Sequence, residues 1–213
     1  MSAPVVMVGL DAADSVLVDR LVAEGAMPNL ASLRAGGCFG RLEPRPPAFL
    51  SMVWPSLING VPVTQHGWYF NKVWSPDRMR LEHVGRGWLP QQPFWEPLVR
   101  AGGRAAILDV PFAPAPEPGF PGLFVTGWQC HDDAAHSAQP EGLWRELVGR
   151  FGKPALTPEM FGPQTASSLQ KLTQELLAAT RQMGDIAASL LARERFDLFV
   201  TVLGGTHRGG HYL

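Results

Sequence analysis

Four short apolar runs constrain the fold more than any other feature of this chain. They are "PVVMVGL" (4–10), "AAILDV" (105–110), "GLFVTGW" (122–128) and "FDLFVTVL" (196–203). Each is too short for a core helix, rich in branched or aromatic residues, and without polar alternation, which predicts strands buried on both faces. Segments of helical period lie between them. Strands alternating with helices predict an α/β domain, a mostly parallel sheet covered on both faces, and thus a three-layer α/β/α sandwich.

The helical segments carry their own punctuation. "DSVLVDRLVAEG" offers Asp14 or Ser15 as an N-cap, places Val16, Leu17, Leu21 and Val22 at helical spacing, and stops at Gly25. "MPNLASLRAGG" predicts a second short helix, and "PFWEPLVRAGG" one that leads into run 105–110. From about Ser167 to Glu194 a leucine-rich stripe with one longer gap at Thr180 predicts a long amphipathic helix. Segment 68–92 shows no clean period and is expected to be an irregular hairpin or loop; the Pro/Gly-rich 111–122 reads as loop. There is no repeat, low-complexity tract or linker, so residues 1–213 are expected to form a single domain.

Charge and cysteine content exclude several function classes. Eighteen Lys and Arg against 19 Asp and Glu leave a net charge of -1, so no basic field exists to hold a nucleic acid polymer or an anionic membrane. Cys38 and Cys130 lie far apart and form no metal-type pair, which argues against a disulfide framework and suits a reducing cytoplasm. No run approaches the roughly 20 apolar residues of a membrane span, and the N-terminus has no basic leader or cleavage site, so neither an anchor nor a secretion signal is expected.

Three polar groups fall where chain leaves a predicted strand or enters a helix, the places where open α/β sheets bind ligands. Asp11 directly follows run 4–10 and reads either as a loop or capping carboxylate or as a ligand. Ser51, in "FLSMVWPSLINGVPVTQHG", precedes a short helical segment; it can cap that helix or share its N-terminal environment with a bound anion. His207 and His211, in the closing "THRGGH", follow run 196–203, and the glycines between them favour a loop in which both side chains converge on one cation. A carboxylate, a hydroxyl at a helix entrance and a histidine pair together suit metal-assisted attack on a phosphate or sulfate ester. His66 is expected to support the turn at Gly67, and His131, Asp132, Asp133 and His136 in "QCHDDAAH" to form a polar surface loop.

These motifs resemble a known family. "VVMVGLDAADSVLVDRLVAEGAMPNLASLRAGGCFGRL" followed by "WPSLINGVPVTQHGWY" is similar to the type I phosphodiesterase/nucleotide pyrophosphatase branch of the alkaline phosphatase superfamily. The order and spacing of Asp11, Met27 to Leu30, Leu33, Gly36 or Gly37, Trp54, Ser56, Gly60, Pro62 and His66-Gly67 carry the resemblance. The closing segment resembles that family's Asp-x-x-x-His-x-x-Gly element, with His211 on its histidine and His207 where the family has Asp. The family's Thr or Ser nucleophile aligns with Leu50, one residue before Ser51. Trp54 stands where nucleotide pyrophosphatases commonly have an Asn, and Asn59 replaces a Thr.

The resemblance implies an alkaline phosphatase-like fold and a metal-dependent phosphoric ester hydrolase acting on small-molecule phosphate esters. Ser51 would be the nucleophile and, with Asp11, His207 and His211, a ligand of a divalent centre, two Zn with Mn or Fe as alternatives. It also implies further ligands beyond His211, so the chain is expected to be an N-terminal fragment of a longer catalytic domain, inactive or nearly so alone. Two other readings stand beside it. One is an inactive domain of this fold that binds an anion or a partner. The other is a sulfatase-like esterase, for which the Cys-x-Pro-x-Arg precursor of the formylglycine nucleophile is missing.

Overall fold

The computed structural model describes residues 3–42, 53–70, 72–84, 89, 91–129, 136–155 and 162–213. In chain order its strands are β1 (Val5–Leu10), β2 (Lys72–Ser75), β3 (Arg80–His83), β4 (Ala105–Leu108), β5 (Gly122–Thr126), β6 (Ser137–Gln139) and β7 (Leu198–Leu203). Its helices are α1 (Ser15–Ala23), α2 (Pro28–Gly36), α3 (Val53–Asn59), α4 (Val63–His66), α5 (Glu96–Arg100), α6 (Leu143–Phe151), α7 (Ala166–Arg193) and α8 (Gly205–Tyr212).

The four apolar runs become β1, β4, β5 and β7, parallel neighbours in a sheet of order β1-β7-β4-β5-β6. Only β6, antiparallel to β5, departs from that direction. Alternate residues of the central strands fill two cores. On one side Ala106, Leu108, Leu123, Val125 and Phe199 pack with Leu143 and Leu147 of α6 and with Met183, Ile186 and Leu190 of α7. On the other, Ala105, Ile107, Phe124, Val200 and Val202 pack with Ile58 of α3 and Trp95 beside α5. This is the predicted α/β arrangement, with helices on both faces.

Local chemistry sets the helix ends. Asp14 caps α1 by accepting from Leu17 N at 2.7 Å, and Gly25 ends the segment at φ 76°. Thr165 and Ser168 form a capping box at the start of α7, whose buried stripe runs from Leu172 to Leu190.

Several expectations change. β1 is not buried on both faces: it lies at the sheet edge, where Val5, Val6 and Val8 are 57%, 52% and 57% exposed. An apolar run shows that a strand can be buried, not that a neighbour is present to bury it. Of the two alternatives for segment 68–92, hairpin or loop, the structure has the hairpin, with β2 antiparallel to β3. α6 and β6 escaped the sequence reading, α6 because its apolar stripe is short and β6 because its three residues carry no apolar run. The largest change is at "THRGGH", which lies within helix α8 and not in a loop. Gly209 and Gly210, between the two histidines, have nothing within 4 Å of an added Cβ, whereas Gly205, one residue before the segment, would bring a Cβ to 2.5 Å from Thr180 Oγ1. The missing side chain of Gly205 lets α8 begin close against α7.

Cys38 carries a free, exposed thiol, and Cys130 lies outside the described residues. Among the described residues no helix is long and apolar enough to cross a membrane.

Candidate functional site

The path of the sheet creates the site. β4 and β5 are adjacent and sequential, but α7 carries the chain back so that β7 inserts between β1 and β4. Loops leaving β1 and β7 therefore emerge side by side at the carboxyl ends of the strands, at a point where the strand order reverses. Asp11 N donates to Leu203 O at 3.1 Å, extending the β1–β7 pairing by one residue, and Thr206 Oγ1 donates to Asp11 O at 2.6 Å.

This brings Asp11, His207 and His211 together. Asp11 Oδ2 stands 3.2 Å from His207 Nδ1, and His207 Nε2 stands 3.0 Å from His211 Nε2. The helical conformation produces the second contact, because residues four apart share one helix face. A proton on His207 Nδ1 serves the carboxylate and leaves Nε2 as acceptor, which receives the Nε2–H of His211. The carboxylate thus fixes the ring orientation of the histidine pair.

Trp54 fixes the carboxylate in turn. Its Nε1–H donates to Asp11 Oδ1 at 2.8 Å, so both oxygens of this buried side chain have partners. Gly9 makes room for it: a Cβ there would meet the Trp54 indole at 2.9 Å. Sequence reasoning placed Trp54 in the motif without giving it this role. An isolated indole donor names no acceptor, and only the glycine in β1 hints that something large crosses the strand.

The donor set suits a cation only in part. Two imidazole nitrogens 3.0 Å apart, one backed by a carboxylate, are the chemistry of a histidine metal site with an orienting second ligand. A closed zinc site takes about four donors, and among the described residues no group of three or more His, Cys, Asp or Glu side chains is arranged to hold an ion. The described residues by themselves do not close such a site. Ser51 lies outside the described residues, which resume at Val53 in α3.

Another serine and histidine meet nearby, in a different relationship. Ser56 Oγ lies 2.9 Å from His66 Nε2, while Trp68 N donates to His66 Nδ1 at 3.1 Å. With Nδ1 accepting, the neutral ring carries its proton on Nε2 and donates to Ser56, so His66 cannot act as base toward that hydroxyl. His66 supports the turn at Gly67, as expected, with Gly67 at φ 70°.

Burial holds the His66 pKa below its usual value. The folded state therefore favours the neutral ring, and this contribution is complete above the unfolded pKa of about 6.5 and lost as pH falls below it. The unfolding midpoint should drop on acidification from about pH 7 to pH 5, more steeply in the wild type than in His66→Gln. Equal pH dependence in thermal melts of the two proteins would contradict this.

Of "QCHDDAAH", residues 130–135 lie outside the described set; His136 is exposed and stacks on Trp144 at 4.5 Å.

The sequence profile of type I phosphodiesterases/nucleotide pyrophosphatases matches residues 5–213. The chain belongs to this family. No curated protein matches it significantly. Among solved structures, the fold is similar to that of phosphonoacetate hydrolase from Sinorhizobium meliloti 1021. The complex with phosphonoformate aligns with a TM-score of 0.64 at 18% identity, over 95% of this chain and 46% of the other. The complex with phosphonoacetate aligns with a TM-score of 0.65 at 18% identity, over 96% and 47%. The chain thus spans slightly under half the length of these structural neighbours, and at this identity the likeness establishes the fold. The family is named for phosphodiesterase and pyrophosphatase activity, and the two structural neighbours for the hydrolysis of phosphonoacetate.

Proposed function

We propose that this chain forms the N-terminal part of a metal-dependent phosphoric ester hydrolase acting on small-molecule phosphate esters, with Ser51 as nucleophile. The observation that carries the reading is the convergence of Asp11, His207 and His211 where β1 and β7 end. Family membership supports the reaction class, and this convergence supports the carboxyl ends of β1 and β7 as its site.

His207 and His211 would hold a divalent cation through their Nε2 atoms, with Zn favoured by imidazole donors and Mn or Fe as alternatives. Such an ion, when bound, lowers the pKa of a nearby hydroxyl and neutralises charge developing on phosphoryl oxygens. Asp11 orients His207, and Trp54 and Thr206 orient Asp11. Ser51, two residues before α3, would attack phosphorus: its Oγ–P bond forms as the bond to the leaving oxygen breaks, and the phosphoseryl ester is then hydrolysed.

The exposed surface supports incompleteness. α1 and α2 bury no residue, Val16 and Leu33 are 70% and 73% exposed, and the β1 face bearing Val6 and Val8 is open. The free thiol of Cys38 favours a reducing, cytoplasmic setting.

A screen of the full-length polypeptide against a chromogenic phosphodiester and a monoester, with Zn or Mn supplied, tests the reading. Turnover that chelation removes and metal restores is expected, with little or none in the 213-residue chain alone. The absence of turnover with every ester and metal would favour a non-catalytic anion- or partner-binding domain.

A further inference from the structure

Arg208 stands apart from the groups described so far. It is the residue after His207 in α8, its side chain is 91% buried by its 9% relative exposure, and its Nη1 has no hydrogen-bond partner among the described residues. Among the described residues no ion pair reaches it, whereas arginines elsewhere in the chain, such as Arg34 and Arg193, have carboxylate partners. A guanidinium cannot shed its proton, so burial without an anion is a large uncompensated cost. A charge of this kind persists where an anion completes it.

The position indicates which anion. Arg208 lies within one helical turn of both His207 and His211, on the row that begins at Gly204, where a Cβ would stand 3.6 Å from Gln129 O. It is therefore close to the centre proposed above and beside the corner where β5 is followed by Gln129. Gln129 Oε1 is also buried and without a partner. As a neutral acceptor it could accept a hydrogen bond from Arg208 but would not balance its charge.

We propose that Arg208 is an oxyanion-binding residue, seating a phosphoryl or carboxylate group beside the histidine pair. The guanidinium fork matches two oxygens of such a group, which a lysine cannot do. The inference deepens the phosphoester reading and rests on it for treating the anion as part of a substrate. Anion binding itself requires neither metal nor turnover.

The test uses the chain treated with EDTA, followed by thermal unfolding with inorganic phosphate or acetate, each against sodium chloride at equal ionic strength. Phosphate is expected to raise the wild-type midpoint. Arg208→Met should weaken the apparent phosphate affinity by about tenfold or more, as expected for losing a charged hydrogen-bonding partner. Without phosphate this variant should melt no lower than the wild type, because an unpaired buried charge has been removed. Arg208→Lys, which keeps the charge, should retain a weaker response and serves as the readout if the methionine variant does not fold. A response to phosphate assigns the seat to a phosphoryl group, and one to acetate alone assigns it to a carboxylate; either supports an oxyanion site. A wild type that neither anion stabilises beyond chloride, or variants that respond as the wild type does, would overturn the proposal. Failure of the phosphoester reading is seen separately, as absence of turnover with anion binding intact.

Discussion

Replacing Ser51 with alanine is expected to lower ester hydrolysis by the full-length polypeptide by about 10³-fold or more, the scale on which loss of a catalytic nucleophile acts. The fold should be unaffected. The other hydroxyls of the motif are poorly suited to the role. Ser56 lies inside α3 and is hydrogen bonded to His66, whose proton sits on the nitrogen facing it. Thr64 lies in α4, beyond Gly60. Ser51 stands two positions before Val53 of α3 in sequence, outside the described residues, and is the hydroxyl next to the position with which the family's nucleophile aligns. Ser56→Ala should therefore keep activity within a few-fold of wild type, a contrast measured by steady-state kinetics. Wild-type rates in Ser51→Ala would remove it as nucleophile.

Gly122→Ala should be the most destabilising single methyl addition among the described glycines. Gly122 opposes Ala105 in the β4–β5 pairing, and a Cβ there would be driven into the Ala105 carbonyl oxygen. That oxygen belongs to backbone and cannot swing away. β4 has no room to retreat either, since β7 pairs with its other edge. The expected cost is at least about 3 kcal/mol, at the upper end for overpacking, which lowers the unfolding midpoint by about 6 °C or more in a chain of this length. Gly184→Ala provides the opposite control. It sits in the middle of α7 with nothing within 4 Å of an added Cβ, so helix propensity should make it neutral or stabilising by up to about 1 kcal/mol. Urea or thermal unfolding of both variants checks the pair.

Much of the framework was legible because it rests on local chemistry. The four apolar runs became parallel strands, and Asp14, Gly25 and the leucine stripe of α7 marked helices close to where they lie. The edge position of β1 was not legible, since burial depends on a neighbour that the strand's own residues do not encode. The conformation of "THRGGH" was misread for a related reason. Glycine weakens a helix in isolation, yet Gly209 and Gly210 lie within α8, which packs on α7, a long-range contact that their own residues do not encode.

The site divides in the same way. Asp11, His207 and His211 were recognisable from their positions after strands, and they meet. Their order from Asp11 to His207 to His211, and the Trp54 contact behind them, depend on long-range placement. The charge of Arg208 was visible in sequence, but its burial without a partner was not.

The central claim is that Asp11, His207 and His211 serve a divalent metal. Its most direct test is the zinc content of the full-length polypeptide after equilibrium dialysis, measured beside His211→Ala and Asp11→Asn with folding checked by circular dichroism. The account predicts that the wild type retains zinc and that affinity falls by about 10-fold to 100-fold in Asp11→Asn, the usual effect of losing an orienting carboxylate, and at least as far in His211→Ala. Unchanged zinc content in folded His211→Ala protein would contradict it.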